Sequence, residues 1–436
     1  MLPFIRPIDH GGFSPSTAIH RVKKMTTQRK EERQDGMLNR VPLSEEAQQN
    51  LFKRVKFIDV LRGLLMCLIV VGHGLIVLDD SKGSLWFKAG MIRLVNLGTP
   101  GFTAVSGMLF GFFEATRADM KAIRRKYFKR GIQLLVAAHF LIAFAVYYPL
   151  RKGESFLGAY LSYWYITDTL AVLFIVFPPL IKDIPPFYRL AAGIFLLAVW
   201  RWIHFTSWPD STVLSVSKDF LFGVNDEGRH LLADAYPIVP LLGLFLIGTT
   251  LGGHFALALK AGALERFLAR IRRLILSLAA LSAGLVGIWA FNKLNVGGLG
   301  NAYLKMIFFP DKLYSLLPLY LALFLSLALF FIRRIEIRKN FKRPEQILSL
   351  FGRTSLFTYV MQYFLVQTFP HFAGWQGALN IPQTLLFITI SMTLLFVLSY
   401  YYDGFLKSKN RRNRRVSPGQ NPAAPVKTAP RVDVTA

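Results

Sequence analysis

Three ionisable side chains lie within one apolar stretch of the sequence, residues 57–78. They are Asp59, Arg62 and His73, and the last two are separated by ten residues. On an α-helix this spacing gives a separation of about 16 Å along the axis and nearly the same face, with Asp59 one turn before Arg62. A histidine in such a place can act as a general base or as a nucleophile. We therefore expect this stripe to form the wall of a site.

The apolar surroundings make these charges informative. The stretch is long enough to cross a bilayer, and a charged group inside the hydrocarbon costs at least ~2.5 kcal/mol. Such residues usually face a protein interior or a water-filled cavity. Gly72 and Gly74 flank His73 and leave room beside its ring for another helix or a substrate. For Asp59 and Arg62 an alternative stays open, in which they pair at the helix end and reach toward the headgroups.

The composition is that of a polytopic membrane protein. The chain has 436 residues, of which 53% are hydrophobic, and its apolar runs recur at lengths that cross a membrane. A formal net charge of +27 would favour nucleic acid in a soluble protein. Here the basic residues cluster between and after the apolar runs, as in cytoplasmic loops facing anionic headgroups. We predict an all-α polytopic helix bundle in a lipid bilayer, with no nucleic-acid partner.

Hydropathy divides the chain into three parts. A polar segment at 1–56 precedes a membrane domain at 57–402 with about ten transmembrane helices, and a basic tail at 403–436, which we expect to be disordered from Ser408, follows. An even number of spans places both termini on one side. The basic segment at 264–273 and the tail assign that side to the cytoplasm.

Further polar residues lie inside other predicted spans. Asp168 is about eight residues inside its span and needs a basic partner there, as a counter-ion or as part of a site. Gly107 and Gly111 form a pair of small residues one turn apart that predicts close packing against another helix. The only cysteine, Cys67, excludes an intramolecular disulfide. The remaining polar residues of this kind are His139, Arg201, His204, His254 and Gln362.

The segment FIDVLRGLLMCLIVVGH at 57–73 resembles the first helix of integral-membrane acyltransferases. These comprise the acyltransferase 3 family, the periplasmic-glucan succinyltransferases and the heparan-α-glucosaminide N-acetyltransferase catalytic family. In the first group a basic residue, ten further residues and a histidine recur, and Arg62 and His73 keep that spacing. These families often have a histidine where this chain has Gln362, which leaves a role for Gln362 open. Three more pieces resemble the third group, in the same order, at 99–113, 236–252 and 351–366.

The resemblance implies an enzyme of a bacterial inner membrane. Such enzymes move an acetyl or other short acyl group from cytoplasmic acyl-CoA, a co-substrate, to a hydroxyl or amine of a carbohydrate or glycolipid at the outer face. It implies that His73 is the catalytic residue, with Arg62 and Asp59 as donor-binding or supporting residues. The possible further site residues are Asp168, Ser106, Gln362 and Arg353, and the basic residues available for the CoA phosphates are Arg124, Arg125, Arg130 and Arg353.

Several partners and cofactors follow from the same reading. We expect no permanently bound cofactor and no catalytic metal, because the sequence has neither a Gly-rich phosphate loop nor a cluster of metal-ligand residues. A homodimer is a possible assembly. The competing class is a transporter or flippase of a polar or lipid-linked substrate, because a helix with an ionisable stripe also suits a transport pathway.

Overall fold

The computed structural model describes residues 55–79, 85–116, 119–150, 155–162, 164–181, 183–204, 212–223, 236–294 and 317–416. These residues belong to the compact unit Val55–Ala436, and the polar segment expected at 1–56 lies almost wholly outside them. They are helical throughout and contain no strand beyond one isolated bridge between Leu78 and Leu379. In chain order the helices are α1 (Lys56–Gly74), α2 (Leu85–Val95), α3 (Gly98–Thr116), α4 (Met120–Gln133), α5 (His139–Leu150), α6 (Phe156–Ser162), α7 (Ile166–Leu180), α8 (Pro186–His204), α9 (Thr212–Phe222), α10 (Ile238–Lys260), α11 (Leu264–Leu294), α12 (Leu317–Phe331), α13 (Arg343–Arg353), α14 (Ser355–Tyr363), α15 (Phe369–Phe372) and α16 (Ile381–Val416).

The number of membrane-spanning helices differs from the prediction. Within the described ranges five helices are long and apolar enough to cross a membrane, and two shorter apolar helices accompany them. About ten spans are therefore not confirmed. Part of the difference is physical, because the predicted fourth span at 160–181 is divided between α6 and the 15-residue α7. The five long helices are Lys56–Val77, Met120–Tyr147, Ile238–Lys260, Pro318–Ile337 and Ile381–Lys409.

Several basic segments that read as loops or tail in the sequence are helical. α4 begins eleven residues before the apolar stretch predicted as a span at 131–149 and carries its basic residues as a helical extension of that stretch. α11 likewise includes the basic run at 264–273, and α16 continues to Val416. The helix thus continues past Ser408 as far as Val416, residues 417–436 lie outside the described part of the chain, and the expected disorder of the tail stays a prediction. Long basic side chains favour helix and extend it past the apolar segment.

Glycines allow two pairs of helices to pack at backbone distance. A Cβ on Gly107 would lie 2.1 Å from the carbonyl oxygen of Phe245, and one on Gly111 would lie 1.9 Å from that of Thr249. Gly248 and Gly252 on α10 meet the α3 backbone in the same way. The close packing predicted from Gly107 and Gly111 is thus confirmed, with α10 as the partner.

The second close contact holds α1 against α13. A Cβ on Gly63 would lie 1.7 Å from the carbonyl oxygen of Leu348, and one on Gly352 would lie 1.8 Å from that of Asp59. α1 is buried along most of its length, and its charged residues Asp59 and Arg62 are only 6% and 5% exposed. α1 is therefore a central helix, fixed against α13 at the level of its charged residues.

Candidate active site

The stripe on α1 faces a cavity inside the bundle. Arg62, Met66 and Ile69 line this cavity, and their spacing of four and three residues places them on one helix face over about 10 Å. His73 is the next residue of the same stripe, one turn beyond Ile69. Asp59 is buried but does not line the cavity.

A second stripe, on α14, runs beside the first. Arg62 Nη2 donates a hydrogen bond to Ser355 Oγ at 2.6 Å, and His73 Nδ1 lies 2.8 Å from Gln362 Oε1. Between these two cross-helix bonds, Tyr359 lines the cavity. The two helices therefore join at both ends of the α1 stripe and enclose the space between them.

The cavity is small and mostly apolar. Its free space is about 40 Å³, which is room for roughly three waters. α3, α4 and α7 complete its wall around α1 and α14. Ser106 lines it, and its hydroxyl donates to the carbonyl of Phe102 at 2.9 Å. The Phe102 ring also lies 5.3 Å from the Arg62 guanidinium carbon, a distance at which a cation is attracted to an aromatic face.

Gln362 contacts one of the two ring nitrogens of His73. Its side-chain oxygen lies 2.8 Å from Nδ1, a distance at which it accepts the proton of the tautomer that carries N–H at Nδ1 and the lone pair at Nε2. The Tyr363 ring lies 5.2 Å from the imidazole, and its hydroxyl lies 2.9 Å from that of the cavity residue Tyr359. His73 itself does not line the cavity, but it is next to Tyr363, whose hydroxyl contacts the cavity residue Tyr359.

Asp168 has the basic partner that its position required. His139 Nδ1 lies 2.8 Å from Asp168 Oδ2, and His139 Nε2 lies 2.9 Å from the carbonyl oxygen of Tyr160. Each ring nitrogen faces an acceptor, an arrangement that the doubly protonated imidazolium satisfies. Asp168 Oδ2 also accepts from the backbone N–H of Tyr165 and so caps α7. The pair fixes the start of α7, and Asp168 itself does not line the cavity.

Helical turns of the wider π type lie next to both histidine clusters. One occupies Leu134–Ala138 and ends directly before His139, and another occupies Phe364–Thr368 and begins directly after Tyr363. Such turns change the direction of neighbouring side chains and are frequent at functional sites. Here they rotate the side chains that follow or precede them relative to a regular helix.

A larger cleft opens beside the cavity at one end of the bundle. It has a volume of about 780 Å³ and shares the lining residues Arg130 and Leu356 with the cavity. Within the described part of the chain, the six arginine and lysine side chains that line this cleft form a binding surface for phosphates. Its acidic lining residue among the described ones is Asp119. The basic lining residues are Lys121, Arg125, Lys126, Lys129, Arg130 and Arg353.

Three of the four predicted phosphate-binding residues line the cleft, and one does not. Arg125, Arg130 and Arg353 line the cleft, whereas Arg124 does not and instead bonds the carbonyl of Met120. Arg353 also pairs with Asp403 of α16 at 3.1 Å.

Of the remaining predicted polar residues, His254 does not line the cavity. His254 is exposed and bonds the carbonyl oxygen of Thr250 through Nδ1 at 2.8 Å. The side chains of Arg201 and His204 lie outside the described residues. Ser355, Tyr359 and Tyr363 were missed at the level of sequence, although they are spaced four residues apart, which is the spacing of one helix face.

A comparison with known proteins assigns the fold to a family. The model of the acyltransferase domain that defines the acyltransferase 3 family matches residues 55–403, which is most of the chain. No curated protein matches the chain. The matched range begins directly before α1 and ends within α16, so it contains both stripes and all the basic residues of the cleft. The chain belongs to the acyltransferase 3 family of integral membrane acyltransferases.

Proposed function

We propose that the protein transfers a short acyl group, acetyl in the simplest case, from cytoplasmic acyl-CoA to a hydroxyl or amine of a carbohydrate or glycolipid at the outer face of the membrane. The observation that carries this proposal is the order of the parts. A basic cleft leads through Arg130 to an apolar cavity, and the cavity reaches within one helical turn of the base His73. The parts of an acyl-CoA molecule follow one another in the same order, from the phosphates through the thioester arm to the reacting atoms.

The donor is held by charge at the cleft and by apolar contact in the cavity. The phosphates of CoA lie against the arginines and lysines of the cleft, and the positive-inside rule places this end in the cytoplasm. The thioester arm passes Arg130 and Leu356 into the cavity. Arg62 and Ser355, already joined by a hydrogen bond, offer polar contacts to the arm where it enters. Because 40 Å³ is too little space for the arm, donor binding widens the cavity.

The reaction needs one proton transfer in each direction. Nε2 of His73 takes the proton of the acceptor hydroxyl or amine as that atom attacks the thioester carbon. The new bond forms, the carbon–sulfur bond breaks, and the imidazolium returns the proton to the departing thiolate. Gln362 keeps the proton on Nδ1 throughout and so maintains Nε2 as the reactive atom. The same atom is also placed to carry the acyl group as an intermediate, which would divide the transfer into two steps.

The test uses the full-length protein in detergent with acetyl-CoA, and it follows the release of free thiol. We expect slow hydrolysis by the natural protein and none by His73→Ala, while His254→Ala, which changes an exposed histidine of α10, keeps the natural rate. Natural rates in His73→Ala would refute the assignment. Movement of a labelled solute across liposomes without thiol release would instead support a transporter.

A further inference from the structure

One hydroxyl that lines the cavity has no hydrogen-bond partner among the described residues. It belongs to Thr167, whose side chain is only 3% exposed. Other buried hydroxyls of the bundle donate to the carbonyl four residues earlier in their helix, namely those of Thr103, Ser106, Thr250, Ser282 and Thr354. Thr167 is the second residue of α7, so the carbonyl four residues before it precedes the helix. Its hydroxyl therefore lacks this partner, in a residue that lines the cavity.

An unpaired buried hydroxyl lowers the stability of the fold. It has lost its bonds to water and gained none in the protein, and a valine of the same shape would fill the space without that cost. The fold therefore does not explain the hydroxyl. A ligand that enters the cavity and accepts a hydrogen bond does.

The position of Thr167 indicates which part of the ligand it meets. Tyr165, two residues earlier, has its ring 6.1 Å from the ring of Tyr363, and the ring of Tyr363 lies 5.2 Å from that of His73. The first turn of α7 therefore lies at the His73 end of the cavity. The opposite end carries Arg62 and Arg130, where the cavity meets the basic cleft. The start of a helix also carries a partial positive charge, which favours a developing negative charge nearby.

We propose that Thr167 is a further catalytic residue, whose hydroxyl binds the carbonyl oxygen of the thioester. This inference rests on the proposed acyl transfer. When the acceptor atom attacks the carbonyl carbon, the π electron pair moves to that oxygen, which Thr167 Oγ1–H and the start of α7 stabilise. The pair then returns to re-form the double bond, and the electrons of the carbon–sulfur bond leave with sulfur. Thr167 keeps its proton throughout, and His73 moves the acceptor proton to the thiolate.

The test compares three variants in acetyl-CoA hydrolysis and in thermal unfolding. Thr167→Val should lower kcat about 100-fold, the usual effect of removing one such donor, with an unfolding temperature equal to or above that of the natural protein. Thr167→Ser keeps the donor and should retain most of the rate. The matched control is Thr384→Val on α16, since Thr384 is fully buried, also lacks a hydrogen-bond partner for Oγ1 among the described residues and does not line the cavity. It should leave kcat unchanged.

The possible failures are distinguishable. If His73→Ala abolishes hydrolysis while Thr167→Val stays within twofold of the natural rate, the role of Thr167 is wrong and the proposed function stands. A marked fall in the unfolding temperature of Thr167→Val would show that the hydroxyl is bonded within the fold, which also overturns the role. If the natural protein releases no thiol, the proposed function fails and the inference fails with it.

Discussion

Replacing Gly63 by alanine should separate the two helices that hold the site together. In the present structure a Cβ at this position would lie 1.7 Å from the carbonyl oxygen of Leu348, whereas ordinary contacts begin at 3.4 Å. The neighbouring atom belongs to the backbone of α13 and cannot rotate away. α1 and α13 must therefore move apart locally by about 1.7 Å to restore an ordinary contact.

That displacement is large enough to affect the chemistry. Gly63 follows Arg62 directly, and α13 is joined to α14, which carries Ser355, by the single residue Thr354. The hydrogen bond from Arg62 to Ser355 is 2.6 Å long, and a shift of this size takes it to about 4 Å, beyond hydrogen-bond reach. Misplacement of reacting groups by about 1 Å costs on the order of 100-fold in rate, and overpacking of this kind costs ~1–3 kcal/mol of stability.

The assay measures thiol release from acetyl-CoA and the unfolding temperature in the same detergent. Gly63→Ala should lose on the order of 99% of the rate and should unfold at a lower temperature. Gly284→Ala is the control, because Gly284 is also helical and a Cβ there would meet nothing within 4 Å. It should match the natural protein in both measurements. Natural activity and stability in Gly63→Ala would show that the contact between α1 and α13 does not position the site.

Three further predictions concern the supporting residues. Gln362→Leu should lower kcat about 10-fold with little change in the KM for acetyl-CoA. The reason is that the catalytic imidazole loses the hydrogen bond that fixes its tautomer, which is worth about 1 kcal/mol. An equal rise in KM would instead indicate a donor-binding role. Asp168→Ala should reduce stability by about 3–5 kcal/mol in unfolding experiments, since it leaves the His139 imidazolium buried without its counter-ion; an unchanged unfolding midpoint would contradict this. Arg125→Ala should raise the KM for acetyl-CoA several-fold, and by more at low salt. Arg124→Ala on the same helix should leave this KM unchanged, because Arg124 does not line the cleft. Equal effects of the two substitutions would mean that the cleft does not hold the phosphates.

The sequence alone could predict the α1 side of the site. Arg62 and His73 are expensive inside an apolar span, so their common face had to line a protein interior. The basic partner of Asp168 followed from the same cost, although only the fold identifies it as His139. These residues were predictable because an ionised group in hydrocarbon is costly unless it faces a partner, a protein interior or water.

The other side of the site could not be predicted in this way. Ser355, Tyr359 and Thr167 are uncharged, and such residues occur in apolar helices without any functional role. Their importance arises from contacts between segments far apart in the chain, such as the bond that joins Arg62 to Ser355 across 293 positions. The role of Gln362 was left open because the related families often place a histidine there, yet its oxygen lies 2.8 Å from His73.

The count of about ten spans is not confirmed, for a related reason. Hydropathy marks where apolar residues are dense, but helices begin and end where their backbone groups are satisfied. α4 and α11 therefore include basic segments that hydropathy assigns to loops, and α7 is shorter than a typical span.

The most direct test of the account is the face from which the donor is used. In sealed proteoliposomes with one protein orientation, acetyl-CoA should release thiol only when it is supplied to the face that carries the basic cleft, at a rate that His73→Ala removes. Turnover from the opposite face, or turnover that survives His73→Ala, would contradict the route from the basic cleft through the cavity to His73.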